Sequence, residues 1–562
     1  MGASSRLILT VLAGLLMLVV NNSASPQNVI RMGVDFENER DFENSWVQTS
    51  QKPVAFAFAK HFQDEMVLQR APQRANIYGF SPNIGRRLKM TVSYSDSIQS
   101  DIYETIVKQG PKPGVGVWLF TLNPMATGTT VSVQVEGENG VLTLSDVIFG
   151  DVWVCSGQSN MEFTVNMMLR AKEELEDAHN YPNIRIFAAA LNSSKTPLDD
   201  LLAVMEPWSK PSNASLGGKP WGQPWNFFSA VCWMYGKNIH KALGIPIGLV
   251  DTNWGGTPVE AWSSPDALAK CNVTSKVVNG PQTNSVLWNA MVHPLLGMTI
   301  YGAIWYQGEQ DANHPQVDRY ACTFPAMIDD WRVKFHSASK GETSDMFPFG
   351  FVQLSASSPD PSISFGFPNI RWHQTADYGY VPNARMQNVF MAVAMDLPGF
   401  SSKFGGIHPQ DKTDVGYRLS LSGLNYAYGK KEVCQGPLPE KISIIGDHIN
   451  ITYGNVQTVE VRDWSGFELL CAASSSSDRV WLPTSLVANY ANTISLFLNV
   501  CLKSQKVLGL SLSNRAGVKV EGGFENMLIS EANLTIYDTF MVTNSMLSAL
   551  ELSPYLLSIH PI

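Results

Sequence analysis

The segment Gly150-Asp-Val-Trp-Val-Cys-Ser-Gly-Gln-Ser-Asn-Met161 decides how the fold of this chain is interpreted. The apolar residues 147–149 and 152–154 predict a buried strand that ends in a small polar turn. Ser159 lies just past the end of this strand, and a glycine precedes it by two positions. A serine placed in this way is typical of an exposed nucleophile in an α/β hydrolytic fold, although the Gly-x-Ser-x-Gly elbow pattern is not matched.

The region from residue 146 to about 430 alternates between strand-like and helix-like segments. Buried strands are predicted over 245–250, 298–305, 349–354 and 389–395, and helices over 228–243 and 320–335. This alternation predicts an α/β domain with a parallel sheet flanked by helices. Active groups in such sheets gather at the carboxyl ends of the strands.

The regions on either side of the α/β region are rich in short β segments. Residues 50–145 and 431–525 contain β-branched and aromatic runs separated by Gly, Pro and Asn, which predicts β-sandwich-like modules on both sides of the α/β region. The second region either forms a module of its own or supplies strands that complete the first. Residues 526–562 carry no pattern that we assign to a structure.

The N-terminus has the layout of a cleaved secretory signal over residues 1–24. Arg6 precedes an apolar run at 7–20, and small residues follow it. No later window of 18 apolar residues lacks a charge, so no stable membrane insertion is expected. Five glycosylation sequons support a lumenal or secreted chain: Asn192, Asn213, Asn272, Asn450 and Asn533.

The seven cysteines suit an oxidising compartment, and their odd number leaves at least one without an intrachain partner. We interpret Cys155, at the end of the predicted strand, as a packed thiol. The formal charge of −9 and the pI of about 5.6 argue against nucleic acid as a partner. The zinc spacings CxxC and HExxH are both absent, so neither a metal nor another cofactor is expected.

Four predicted strand ends carry polar residues that together suit acyl transfer. This chemistry needs a nucleophile, a base and donors for an oxyanion. Ser159 is the candidate nucleophile and His408, in a glycine-proline loop, the candidate base. The N–H groups of Ser159 and Gly256 and the side-chain amide of Gln307 are the candidate oxyanion donors. His293, His314 and His373 are the rival bases, and the loop position late in the domain favours His408.

Five motifs then resemble one family. Phe62-Gln-Asp-Glu-Met-Val-Leu-Gln-Arg70, Gly157-Gln-Ser-Asn-Met161, Trp254-Gly-Gly-Thr-Pro-Val-Glu-Ala-Trp262, Trp305-Tyr-Gln-Gly-Glu309 and Ile407-His-Pro-Gln-Asp-Lys412 occur in the order of the sialate O-acetylesterase family, a branch of the SGNH-type esterases. The resemblance implies an SGNH-like domain that hydrolyses O-acetyl esters of sialic acids, chiefly at the 9 position. It implies Ser159 as nucleophile and His408 as base, with Gly256 and Gln307 in the oxyanion hole.

One departure from the related esterases concerns the group that orients the histidine. An aspartate usually lies two or three residues before that histidine, but Gly405 and Gly406 occupy these places here. Asp396 and Glu309 are candidates for the orienting acid, and a backbone carbonyl is an alternative.

We predict that Arg371 or Arg418 holds the sugar carboxylate.

The sequence leaves two alternatives to this function. The first alternative is an esterase acting on other acetylated sugars such as acetylxylan, which would use the same residues. The second is a glycan-binding protein without catalytic activity.

Overall fold

The structure is a computed structural model. It describes residues 55–217, 225, 228–274, 280–312, 317–359, 365–434, 436, 439–454, 456–461, 467–473, 479–498, 505–512 and 518–520. The predicted signal segment 1–24 and the segment 526–562 lie outside these residues.

The N-terminal part consists of short strands that confirm the predicted β texture of this region. The strands are β1 (Ala57–Phe58), β2 (Val67–Gln69), β3 (Asn76–Ser81), β4 (Arg87–Tyr94), β5 (Ser100–Ile106), β6 (Lys108–Gln109), β7 (Gly116–Thr121) and β8 (Thr130–Gly137). One sheet has the order β1-β3-β7-β6, while β5, β4 and β8 pair in series and lead into the next strand.

The strand β9 (Gly140–Gly157) connects the N-terminal sheet to the α/β region. Its first half pairs antiparallel with β8, from Gly137↔Gly140 to Thr130↔Ile148. Its second half pairs in parallel with two later strands. The domain boundary expected at residues 145/146 therefore lies within one continuous strand.

The α/β region contains a sheet of mostly parallel strands, as the sequence predicts. Its further strands are β10 (Ile184–Ala189), β11 (Val204–Ser209), β12 (Ile247–Asn253), β13 (Gly302–Tyr306), β14 (Phe349–Gln353) and β15 (Val389–Val393). The order is β11-β10-β12-β9-β13-β14-β15, and only the edge strand β11 runs antiparallel to its neighbour in this series. Because β9 lies in the middle, its carboxyl end is flanked by the ends of β12 and β13.

The helices cover both faces of this sheet. They are α1 (Ser159–Glu162), α2 (Ala171–Asp177), α3 (Asn213–Gly217), α4 (Ala230–Leu243), α5 (Pro265–Lys270), α6 (Glu309–Ala312), α7 (Tyr320–Ala338), α8 (Phe367–His373) and α9 (Lys412–Tyr426). Trp153 on β9 packs against Tyr235 of α4, whereas Trp305 on β13 packs against Trp331 of α7. Trp153 pairs with Gly302 of β13, and Gly302 is three residues before Trp305 on the same strand. Because side chains alternate between the two faces along a strand, the two tryptophans point to opposite faces of the sheet.

The C-terminal part returns to β structure. Its strands are β16 (Pro439–Ile445), β17 (His448–Tyr453), β18 (Val459–Val461), β19 (Phe467–Ala473), β20 (Arg479–Thr484), β21 (Leu486–Tyr490), β22 (Thr493–Phe497), β23 (Gln505–Leu512) and β24 (Val518–Val520). They form the sheets β16-β17-β22-β21, β20-β19-β23 and β18-β24.

Two disulfides join elements of the α/β region, which suits an oxidising compartment. Cys155 on β9 bonds to Cys232 on α4, and Cys271 bonds to Cys322 on α7. The interpretation of Cys155 as a packed thiol is therefore wrong, because α4 crosses the sheet where its cysteine faces the strand. No helix in the described part of the chain has the length and apolar character needed to cross a bilayer.

Candidate active site

The carboxyl ends of three adjacent strands bring the sequence motifs together. Gly157, the last residue of β9, pairs with Tyr306 at the end of β13 and with Asn253 at the end of β12. A Cβ atom on Gly157 would lie 2.2 Å from the Tyr306 carbonyl oxygen, so this close approach requires glycine. The chain then turns into α1, which begins at Ser159 just beyond the carboxyl end of the central strand β9.

Ser159 and His408 are in direct contact although they lie 249 residues apart in the chain. The His408 Nε2 atom lies 2.8 Å from Ser159 Oγ, and His408 Nδ1 lies 2.7 Å from the carbonyl oxygen of Phe404. A carbonyl oxygen accepts a hydrogen bond and cannot donate one, so Nδ1 carries the hydrogen and Nε2 is left to accept a hydrogen bond from the serine hydroxyl. This tautomer is the one that a general base needs.

The orienting group is thus a backbone carbonyl, and the prediction of Asp396 or Glu309 for this role is wrong. Asp396 instead accepts two hydrogen bonds from Arg418, at 2.6 and 2.8 Å. Glu309 accepts from the side-chain amide of Asn160. Both carboxylates are occupied by these partners, and Phe404 supplies the acceptor within the histidine's own loop.

A cavity of about 300 Å³ opens onto the serine and the histidine. It is lined by Gln158, Ser159, Glu162, Trp225, Gly255, Gly256, Glu309, Gln310, Ile407 and His408. The Trp225 ring meets the His408 ring edge to face, with 5.3 Å between the ring centroids. The lining combines polar groups with one aromatic wall, which suits a small polar ligand with an apolar face.

The Gly255-Gly256 turn forms one wall of the cavity beside the serine. A Cβ atom on Gly255 would lie 3.2 Å from Ser159 Cβ and 2.9 Å from Glu162 Oε2. The Gly255 N–H donates to this same Glu162 oxygen at 2.5 Å. Gly256 follows with a φ of +68°, a conformation that favours glycine. Gly256 thus lines the same cavity as Ser159, and its role as an oxyanion donor stays a prediction.

Gln307 does not reach the cavity, and its prediction as an oxyanion donor is wrong. Its side chain is fully buried, and its amide nitrogen donates to the Thr257 carbonyl at 3.2 Å and to Asp311. Its amide oxygen accepts from the Tyr320 hydroxyl at 2.8 Å. Because both amide hydrogens are taken, this side chain ties the end of β13 to α7 and has no donor for a substrate.

Burial and one nearby cation set the proton affinity of the groups around the cavity. Burial lowers the pKa of His408, the Lys412 ammonium lowers it further, and the hydrogen bond to Phe404 acts in the opposite direction. Burial raises the pKa of Glu162 to about 7, although the Gly255 N–H favours its charged form. Burial also lowers the pKa of Lys412 to about 7. His408 is therefore neutral, and able to act as a base, further into the acid range than an ordinary histidine.

Four residues near the pair were not identified from the sequence: Asn160, Glu162, Trp225 and Lys412. Asn160 and Lys412 lie inside the quoted motifs, but their residue types alone do not indicate burial. Trp225 carries no motif at all. Within the described ranges, no group of three or more His, Cys, Asp or Glu side chains is arranged to hold a metal ion.

The rival bases and the predicted arginines have other partners. His293 Nδ1 contacts the Leu198 carbonyl at 2.8 Å, and His373 contacts two aspartates, while His314 lies outside the described residues. Arg371 and Arg418 are both buried and neither lines the cavity, so the prediction that one of them binds a sugar carboxylate is not supported by their positions.

The sequons differ in accessibility. Asn213 and Asn272 are exposed, and Asn192 is half-buried. Asn450 lies on β17 between two other strands and accepts a hydrogen bond from Ser495. Asn533 lies outside the described residues. Asn213 and Asn272 are thus the described sites best placed to accept a glycan.

Comparison with known proteins gives a consistent result. Residues 149–410 match a family described as carbohydrate esterase, sialic acid-specific acetylesterase, and residues 441–516 match the sialate O-acetylesterase C-terminal domain. Human sialate O-acetylesterase is 42% identical over 463 residues, which cover 80% of this chain and 86% of that protein. The mouse sialate O-acetylesterase is 41% identical over 492 residues, covering 80% and 88%.

A solved structure supports the fold alone. The crystal structure of a carbohydrate acetylesterase from Xanthomonas citri superposes with a TM-score of 0.66 at 24% identity, covering 83% of this chain and 96% of the other.

Proposed function

The chain belongs to the sialate O-acetylesterase family, and from this premise we propose how it acts. It is a carboxylic-ester hydrolase that removes O-acetyl groups from sialic acids. The reaction runs through a covalent acetyl-enzyme on Ser159, with His408 as the general base and acid. The observation that carries this mechanism is the 2.8 Å contact between Ser159 Oγ and His408 Nε2, two residues that line the cavity.

In the first half of the reaction, His408 Nε2 takes the Ser159 hydroxyl proton while Oγ attacks the acetyl carbonyl carbon. The carbonyl electrons move to the oxygen and return when the bond to the sugar oxygen breaks. The sugar oxygen leaves with the proton that His408 carries. The products of this half are the free sugar hydroxyl and an acetyl ester on Ser159.

In the second half, water takes the place of the sugar in the cavity. His408 takes one proton from the water as its oxygen attacks the acetyl carbon, and it then returns this proton to Ser159 Oγ as acetate leaves. The resting enzyme is restored, and every proton moves through Nε2 alone, since Nδ1 stays bonded to the Phe404 carbonyl.

The oxyanion is stabilised by the backbone N–H groups of Ser159 and Gly256. Ser159 is the first residue of α1, so its N–H has no acceptor within the helix. Gly256 lines the same cavity as the serine. One such donor contributes about 3–4 kcal/mol to the transition state.

The α/β region, with its nucleophile after the central strand and its base before the last helix, is of the SGNH type in this proposal. In this proposal the substrate is chiefly the 9-O-acetyl ester, as the resemblance to the family implies. The chain passes through the secretory pathway after removal of residues 1–24 and acts in the lysosome or outside the cell, with glycans on its exposed sequons.

The decisive experiment measures acetate release from 9-O-acetyl sialic acid by the wild type and by Ser159→Ala. We expect turnover by the wild type and a loss of about 10⁶-fold in the variant, as for other serine nucleophiles. Acetylated xylan is assayed in parallel. Faster release from xylan would contradict the substrate, and a Ser159→Ala variant that keeps its activity would contradict the mechanism.

A further inference from the structure

A lysine side chain is buried in contact with Asn160, the residue that follows the nucleophile. Lys412 has no exposed surface, and its Nζ atom donates to the Asn160 side-chain oxygen at 2.5 Å. The same Nζ lies 4.7 Å from the Phe163 ring centroid and 4.9 Å from that of Tyr306. These contacts keep the ammonium in the protein interior, four residues from His408.

The position is unfavourable for a cation on two counts. Burial removes the ammonium from water, which disfavours its charged form. Lys412 is also the first residue of α9, where the helix dipole is positive and favours anions. In addition, its charge opposes protonation of the nearby His408. An ionisable group kept at such a place despite these effects is more often linked to function than to stability.

Asn160 connects this lysine to the catalytic loop. Its oxygen accepts from Lys412, while its amide nitrogen donates to Glu309 and, at 2.8 Å, to the carbonyl of Ile407. All polar atoms of this amide are therefore used. Because Asn160 follows the nucleophile and Ile407 precedes the base, one side chain fixes the lysine relative to both.

The carboxylates that line the cavity with the catalytic pair lose their charge in the acid range. Glu162 and Glu309 line the cavity with His408, and burial raises the pKa of each. Their carboxyls become neutral as the pH falls, whereas Lys412, with a pKa of about 7, becomes charged. Asp411 and Glu309 favour this charged form. The exposed Lys403 lies on the catalytic loop, where water screens its charge.

We propose that Lys412, fixed by Asn160, is a positioning residue whose charge keeps His408 unprotonated in acidic medium. The inference rests on the proposed function of His408 as the base. At high pH the lysine is neutral and has little effect. As the medium is acidified, the lysine gains its proton first and then opposes protonation of the histidine, so the base remains in its active form over a wider range.

The test compares Lys412→Met with wild type by measuring kcat/KM from pH 5 to pH 8. We expect rates at pH 8 within about threefold of each other, since the lysine is mostly neutral there. At pH 5 we expect kcat/KM of the variant to have fallen about tenfold further than that of the wild type. This difference corresponds to a rise of about one pH unit in the midpoint of the acid limb.

The matched control is Lys237→Met. Lys237 is also buried, forms ion pairs with Glu174 and Asp177, and lies over two aromatic rings, but it does not line the cavity. Its removal lowers stability and leaves the pH midpoint unchanged. If Lys412→Met does not fold, Lys412→Gln removes the charge and keeps a donor for Asn160.

A folded Lys412 variant whose acid limb of kcat/KM has an unchanged or lowered midpoint would overturn the inference. The absence of turnover by this variant at pH 8, or the failure of both Lys412 variants to fold, would also overturn it. The proposed function is judged separately by Ser159→Ala in the same assay, because that comparison does not involve the lysine.

Discussion

The exchange Asp396→Asn tests whether a backbone carbonyl, and not a carboxylate, orients the catalytic histidine. In this structure Asp396 binds Arg418, and His408 Nδ1 binds the Phe404 carbonyl. The exchange therefore leaves the tautomer of the histidine unchanged, and we expect kcat/KM to stay within about threefold of wild type. An acid that orients a catalytic histidine would give a loss of about 10,000-fold on the same change.

The same exchange has a clear effect on stability. The Asp396 and Arg418 side chains are each only 9% exposed and form two short hydrogen bonds. Removal of one partner of a buried ion pair costs about 3–5 kcal/mol, and the amide retains one acceptor, so we expect about 3 kcal/mol. Arg418 keeps its bond to the Val393 carbonyl, which limits the loss.

The assay combines acetate release, measured well below the unfolding temperature, with urea unfolding followed by tryptophan fluorescence. Asp330→Asn is the matched control, since it removes another buried carboxylate, paired with Lys334 on α7 and outside the cavity lining. Both variants should keep their rate, and Asp396→Asn should lose stability. A folded Asp396→Asn protein with a loss above about 100-fold would refute the role assigned to the Phe404 carbonyl.

Three further predictions follow from the site and its surroundings. Because burial and Lys412 lower the pKa of His408, the acid limb of the wild-type kcat/KM profile should have its midpoint below the ordinary histidine value of about 6.5; a midpoint at or above this value would contradict the electrostatics. Gln307→Met should reduce the free energy of unfolding by about 2–3 kcal/mol, since it leaves buried partners unpaired, and should reduce the rate by less than about tenfold. A loss of 100-fold or more in the rate per folded molecule is roughly the effect of removing one oxyanion donor, and it would show that Gln307 does act in the oxyanion hole. Replacing Cys155 and Cys232 by alanine opens a loop of 77 residues and should lower stability by about 4 kcal/mol in urea unfolding, whereas an unchanged midpoint would show that the bond is not formed.

The sequence alone determined which segments meet at the site. Strand-like runs that each end in small polar residues predict a shared edge, because the carboxyl ends of parallel strands lie together. This reasoning placed Ser159, Gly256 and His408 in one site, and the structure has them there. The pattern was sufficient since it depends on backbone direction, which local hydrophobic periodicity indicates.

The tertiary structure decided which atoms these segments offer. No residue type marks a carbonyl such as that of Phe404 as the partner of a histidine, because every residue has one. Gln307 lies at the right strand end, but packing against α7 turns its amide away from the cavity. The pairing of Cys155 and the burial of Lys412 likewise depend on where α4 and α9 pack. Side-chain direction and burial are set by contacts between elements distant in the chain, and local sequence does not contain those contacts.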